Sequence, residues 1–221
     1  MEDMLYADTF PWSVNISERI NVMSGDLVTS INPADYIRRR YMETLEEVPC
    51  LVGETEIETR RRKMFYLNFT WFMQTLLDRK DRMSMSNGLE VRVPYCDHRL
   101  VQYLWNIPWD MKMLEGREKG LLRKALEGII PSDVLWRKKS PYPKTHNPSY
   151  EKAVKARLLQ ILHDASSPLL PLVNISAIVE RLKMESDYGK PWFGQLMAGP
   201  QMYAYLIQVD TWLRKFKVQL I

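Results

Sequence analysis

Phe65, Phe69, Phe72 and Leu76 recur at spacings of four, three and four residues, and Met64, Leu67 and Trp71 widen the stripe. That period belongs to an α-helix with one apolar face, and it predicts a long, largely buried helix in the stretch from Glu54 to Asp81. The two-residue period of a strand occurs at one place only. Leu89, Val91 and Val93 alternate with Glu90 and Arg92 between Gly88 and Pro94, enough for a very short strand or an extended loop. Strands do not alternate with helices along the chain, and neither a repeat nor a linker interrupts it. The expected fold is therefore mainly α, one compact helical unit over residues 1–221.

Capping residues mark the other helices. Asn32, Pro33 and Asp35 open one running from Pro33 to about Glu47. Asp97 caps a helix carrying Leu100, Val101, Leu104 and Trp105. Glu118 opens another, with Leu121, Leu122, Ala125, Leu126 and Ile129 on one face, and Ser132 caps a short turn through Trp136. Pro141, Pro143 and Pro148 make the stretch from Ser140 to Pro148 a loop. Ser149 then caps a helix with Val154, Leu158, Ile161 and Leu162, Asn174 caps one with Ile178 and Leu182, and a last helix spans roughly Pro191 to Phe216, bent at Gly199 and Pro200. The opening 31 residues predict loops and a short helix, and they look like the continuation of a longer protein.

Composition narrows the function classes. With 46% hydrophobic and 26% charged residues, the chain is an ordinary globular protein. No apolar run approaches the roughly 20 residues of a membrane span, and the acidic start does not read as a secretory signal, so the expected setting is cytoplasmic, with no membrane partner. A net charge of +4 suits a local anion site and argues against nucleic acid as a partner. Cys50 and Cys96 form no metal-ligand or disulfide pattern and read as two free, buried thiols.

Self-sufficient catalytic motifs are absent, and the three histidines, His98, His146 and His163, are scattered. Arg79, Lys80, Arg82, Arg92, Lys119, Arg123, Arg137, Lys138 and Lys139 are interleaved with core helices. Two readings stay open for them: convergence on a phosphate, or solvated faces with ion pairs.

The residues themselves match a family. Asp81-Arg82-Met83-Ser84-Met85-Ser86-Asn87-Gly88-Leu89-Glu90-Val91-Arg92-Val93-Pro94-Tyr95-Cys96-Asp97-His98 resembles the DRMSMAHGLEVRVPFLDH-type signature of glutamine-dependent asparagine synthetases. Glu118-Lys119-Gly120-Leu121-Leu122-Arg123 resembles the EKxLLR block, and Leu135-Trp136-Arg137-Lys138-Lys139 the LWRxK block after it. The resemblance implies the C-terminal helical portion of an α/β adenine-nucleotide α-hydrolase-like (ATP-pyrophosphatase-type) synthetase domain. It also implies ATP and Mg²⁺ as cofactors of the complete enzyme, with aspartate and glutamine-derived ammonia as partners.

On this resemblance Lys139 matches the lysine placed at the α-phosphate, where it would stabilise charge in the adenylation transition state. Glu90 and Arg92 are expected either to form a buried ion pair that shapes the pocket or to contact substrate. Arg79 and Arg123 are candidates for phosphate or carboxylate contact, with helix–helix ion pairing as the alternative. Asp81 with Arg82, and Asp97 with His98, read as capping and packing; Ser84 and Ser86 read as nucleotide donors or as a polar turn. None of these is offered as a metal ligand.

Departures from the family pattern are equally specific. The chain carries no glutaminase cysteine, no SGGxDS loop and no SGEGxDE segment; its nearest fragments are Met23-Ser24-Gly25-Asp26 and Val52-Gly53-Glu54. Tyr95-Cys96 stands where Phe-Leu is usual, and Ser140 to Asn147 replaces a Phe-Ser-Asp-Gly loop. The expectation is a fragment that lacks the glutaminase and nucleotide-binding segments, makes no asparagine alone, and exposes an apolar face through which it associates, a homodimer included. The alternatives are an amidotransferase acting on another carboxylate and a non-catalytic helical interaction module.

Overall fold

The computed structural model describes residues 9–12, 16–140, 147–184 and 199–219. In chain order the α-helices are α1 (Ser17–Ile20), α2 (Gly25–Ile31), α3 (Pro33–Glu46), α4 (Glu56–Leu67), α5 (Gln74–Met85), α6 (His98–Trp105), α7 (Trp109–Lys112), α8 (Gly120–Ala125), α9 (Ser132–Leu135), α10 (Pro148–His163), α11 (Ile175–Lys183) and α12 (Gly199–Phe216). No strand forms among the described residues; Met23 and Val173 make an isolated antiparallel bridge. The fold is mainly α, and residues 89–93 are the extended loop rather than the strand.

Where the sequence suggests one unit, contacts gather into two, Met1–Val48 with Lys144–Ile221, and Pro49–Pro143. The second is inserted between the two segments of the first, so no shift of composition along the chain announces it.

The first unit holds a deep apolar core. Leu158, Ile161 and Leu162 of α10, Ile178 of α11, and Met202, Tyr203 and Leu206 of α12 pack with Leu169, Val173 and Val22. Its N-terminal part joins its C-terminal part through main chain: the Ser24 amide donates to the Leu172 carbonyl at 2.9 Å and the Asn174 amide to the Val22 carbonyl at 3.0 Å. Asp210 is buried on α12, accepting from the Ser167 hydroxyl at 2.6 Å and from Arg214 Nε at 2.9 Å.

One expected cap holds, one shifts by two residues and one is not made. Asn174 caps α11 by accepting from the Ala177 amide at 3.1 Å. Asn147, not Ser149, caps α10, accepting from the Ser149 amide at 2.9 Å; Pro148, which needs no amide partner, takes the first helical position and pushes the cap back. Asn32 contributes no side-chain cap to α3; at φ 40° it is the left-handed residue that ends α2, and its carbonyl accepts from Tyr36. Asparagine tolerates that region better than most residues. Residues 141–146, the proline-rich loop, and the expected helix start at Pro191 lie outside the described residues.

The second unit is built differently. Leu67 and Leu135 are its deeply buried apolar side chains among the described residues. Thr55 and Glu58 form a capping box on α4, the Thr55 oxygen accepting from the Glu58 amide at 3.3 Å and the Glu58 carboxylate from the Thr55 amide at 2.9 Å. A π-helical turn, Asn68–Met73, then joins α4 to α5.

That turn explains why the aromatic stripe is not largely buried as its spacing predicts. One extra residue in a turn rotates everything after it by about 100° relative to a straight α-helix, and Phe72 and Leu76 are accordingly 46% and 42% exposed.

Cations on rings supplement the thin core. Arg61 lies over Trp109 at 4.9 Å, Arg62 over Trp105 at 5.2 Å and Lys112 over Phe65 at 5.0 Å. Arg62 also pairs with Glu54, each side chain 10% exposed, and donates to the Trp105 carbonyl at 3.2 Å. The Arg62 guanidinium holds the Glu54 carboxyl below its usual range.

Candidate functional site

The helix expected to open at Glu118 starts at Gly120 and stops at Ala125, because Lys119 stands left-handed at φ 57° before it and Gly128 turns the chain at φ 76° after it. Ile129, expected on the apolar face of that helix, falls beyond its end and is 71% exposed. Gly120 itself is buried, and its close neighbour is the Leu114 backbone. The short α9 that follows starts after Pro131 without the Ser132 side-chain cap expected.

Side chains of α8 and its approach knit the three sequence blocks together. Lys119 Nζ lies 5.2 Å from the Tyr95 ring centre, linking the second block to the first. Arg117, the residue just ahead of the second block, lies 5.0 Å from the Trp136 ring centre in the third. Arg123 donates from Nε to the Glu118 carbonyl at 3.0 Å, from one terminal nitrogen to the Leu135 carbonyl, and from the other to Glu118 Oε1 at 3.2 Å and the Arg137 carbonyl at 3.4 Å. Its side chain is 14% exposed.

The segment so gripped carries Lys139, exposed and outside any helix, with no hydrogen bond or ion pair among the described residues. An ammonium unclaimed by a protein carboxylate can meet an incoming anion without first breaking a pair. Arg79 is likewise exposed, on α5, and unpaired among the described residues. No hydrogen bond among the described residues joins it to the Lys139 segment.

Other expectations are corrected. Glu90 and Arg92 do pair, at 3.1 Å, but with side chains 69% and 83% exposed the pair is not buried; both lie on the extended loop, where no helix covers them. Arg82 donates to Asp78 at 2.7 Å, one helical turn earlier, rather than engaging Asp81. Ser86 donates to the Met83 carbonyl at 2.9 Å, which is a polar turn. Cys50 is exposed and Cys96 half-buried, neither in a disulfide, in short irregular stretches rather than in the core expected for them.

Asp97 caps α6 as expected, accepting from the Arg99 amide at 2.9 Å. Its main electrostatic partner is Arg99, which, with that amide, depresses its carboxyl to about 2; His98 lies 4.0 Å away.

The two fragments nearest to phosphate-loop sequence have other roles. Ser24 caps α2 by accepting from the Leu27 amide at 3.3 Å, and Gly53 turns the chain at φ 86° before Glu54 meets Arg62. Among the described residues no three of His, Cys, Asp and Glu gather as metal ligands. No described helix is long and apolar enough to cross a membrane.

Arg117 and Gly120 were not legible as site-builders from sequence. The signal for Gly120 was its place inside the Glu118–Arg123 block, where a glycine at a helix start has no capping logic and so implies a close approach of backbone; Arg117, one residue ahead of the block, carried no signal.

Comparisons with known proteins agree with the block resemblance. The asparagine synthase family model matches residues 2–214. The chain is 52% identical over 212 residues to asparagine synthetase (glutamine-hydrolyzing) 3 of Bacillus subtilis, covering 96% of this chain and 34% of that protein. Asparagine synthetase (glutamine-hydrolyzing) 1 of the same organism is 44% identical over 82 residues, 37% of this chain and 13% of that protein. The human asparagine synthetase (glutamine-hydrolyzing) is 42% identical over 67 residues, 29% of this chain and 12% of its own length. This chain thus spans about one third of the length of the first of these relatives. With the family model covering nearly all of it, the chain belongs to the asparagine synthase family.

Proposed function

We propose that this chain is the helical C-terminal part of a glutamine-hydrolysing asparagine synthetase, working in the cytoplasm on ATP, aspartate and ammonia released from glutamine. The observation that carries the reading is the 52% identity across 96% of the chain to a protein of that name. The knitting of the three blocks around the Lys139 segment supports it.

In the reaction a side-chain carboxylate oxygen of aspartate attacks the α-phosphorus of ATP, forming a C–O–P linkage as the bond to pyrophosphate breaks. Ammonia then adds to the acyl carbon, the C–O bond breaks, AMP leaves and a proton is lost from nitrogen. Negative charge builds on the α-phosphoryl and pyrophosphate oxygens in the first step. The role of Lys139 is to meet that charge with a fixed ammonium, a kind of stabilisation that is strongest where water is excluded. No step here is routed through a metal ion.

The pairing of substrate and bond is tested by oxygen transfer. In a family-length protein carrying this chain, aspartate labelled with ¹⁸O in its side-chain carboxylate should yield asparagine and AMP bearing one labelled oxygen. Label retained wholly in the amino-acid product, or labelled AMP formed only from a different acid, overturns the reading. The 221 residues alone should release no pyrophosphate from ATP and aspartate.

A further inference from the structure

Arg123 is a candidate for touching substrate by sequence, yet its guanidinium has other occupation. A guanidinium offers five N–H donors in a planar fork, and all three nitrogens of Arg123 are engaged by the Glu118 carbonyl, the Glu118 carboxylate and the carbonyls of Leu135 and Arg137. At 14% side-chain exposure, no free edge remains for a phosphate or a carboxylate from solution.

Two of those acceptors bracket Trp136, whose ring is covered by the Arg117 guanidinium at 5.0 Å. The main chain is therefore fixed at 135 and 137 and the side chain at 136, while Lys139 follows two residues later. Two residues of extended chain reach at most about 7 Å, so fixing residue 137 confines Lys139 to a small volume. The Glu118 carbonyl and carboxylate hold the fork itself in register.

We propose that Arg123 is a positioning residue that acts through Lys139: it anchors the backbone of residues 135–137 so that the Lys139 ammonium is presented in one place, and it does not contact nucleotide. Lysine cannot replace it, because a single ammonium cannot reach three carbonyls and a carboxylate as a planar fork does. The inference rests on the proposed role of Lys139, and two readouts keep the two claims separable.

The first readout is amide hydrogen exchange on the 221-residue chain. Arg123→Lys and Arg123→Ala should accelerate exchange in residues 135–139 while leaving α10 and α12 protected, which also verifies that the variants fold. Unchanged exchange at 135–139 overturns the anchoring. The second is a double-mutant cycle on aspartate-dependent pyrophosphate release by a family-length protein. Arg123→Lys should lower kcat by about 10²-fold, the scale of a misplacement near 1 Å, with KM for ATP nearly unchanged. In a Lys139→Ala background the same substitution should cost less than about 3-fold, since the group it positions is gone. Multiplying effects, or a rise in KM for ATP with kcat intact, overturns action through Lys139. Accelerated exchange with Lys139→Ala kinetically silent would instead overturn the Lys139 reading and leave the anchor standing.

Discussion

A β-carbon at Gly120 would lie 2.5 Å from the Leu114 amide nitrogen and 2.7 Å from its carbonyl oxygen. Backbone cannot swing aside as a flexible side chain can, so Gly120→Ala should destabilise the second unit by about 1–3 kcal/mol, the usual cost of overpacking. Denaturant unfolding followed by tryptophan fluorescence checks this, and an unchanged midpoint would show that Leu114 yields freely. Partners were legible at this scale more often than burial was. Glu90 and Arg92 pair, Asp97 caps, and Arg123 makes ion-pairing contacts, because such pairings follow from spacing. Whether a pair is buried depends on what covers it from elsewhere in the chain, and the exposed loop carrying Glu90 and Arg92 has no pattern that declares its lack of cover. The anchoring role of Arg123 was hidden for a related reason: its acceptors are main-chain carbonyls, which every residue type possesses.

Helix ends were read well and helix interiors less so. α3, α6, α10 and α11 begin within a residue or two of their expected starts, since proline and short polar caps act locally. The π turn at Asn68–Met73 leaves no compositional trace, and it rotates the stripe that begins on α4 to a different direction along α5. One element-scale feature was missed altogether, the buried Asp210 of α12. It is held by Ser167 on the turn after α10 and by Arg214 one turn along its own helix, pinning α12 to that turn. Removing a buried hydrogen bond to a charged group costs about 1.5–3 kcal/mol. Ser167→Ala should accordingly lower the unfolding free energy of the first unit by that amount, measured by chemical denaturation, while the cap contacts of α11 persist.

For the whole molecule, helical class and family were legible while the division into two units was not. Periodicity reports which face of a helix is apolar, but the bridge of Met23 with Val173 and the hydrogen bond from the Asn174 amide to the Val22 carbonyl, which hold the two segments of the first unit together, join stretches about 150 residues apart with nothing local to mark them. The functional account concentrates on one exposed ammonium at the end of an anchored segment. Its most direct test is the aspartate-dependent release of pyrophosphate from ATP by a family-length protein carrying Lys139→Ala. Loss of a preorganised charge-stabilising group costs about 10²–10³-fold in kcat, so the account predicts a fall of that size with KM for aspartate nearly unchanged. A variant that releases pyrophosphate at the parent rate would contradict it.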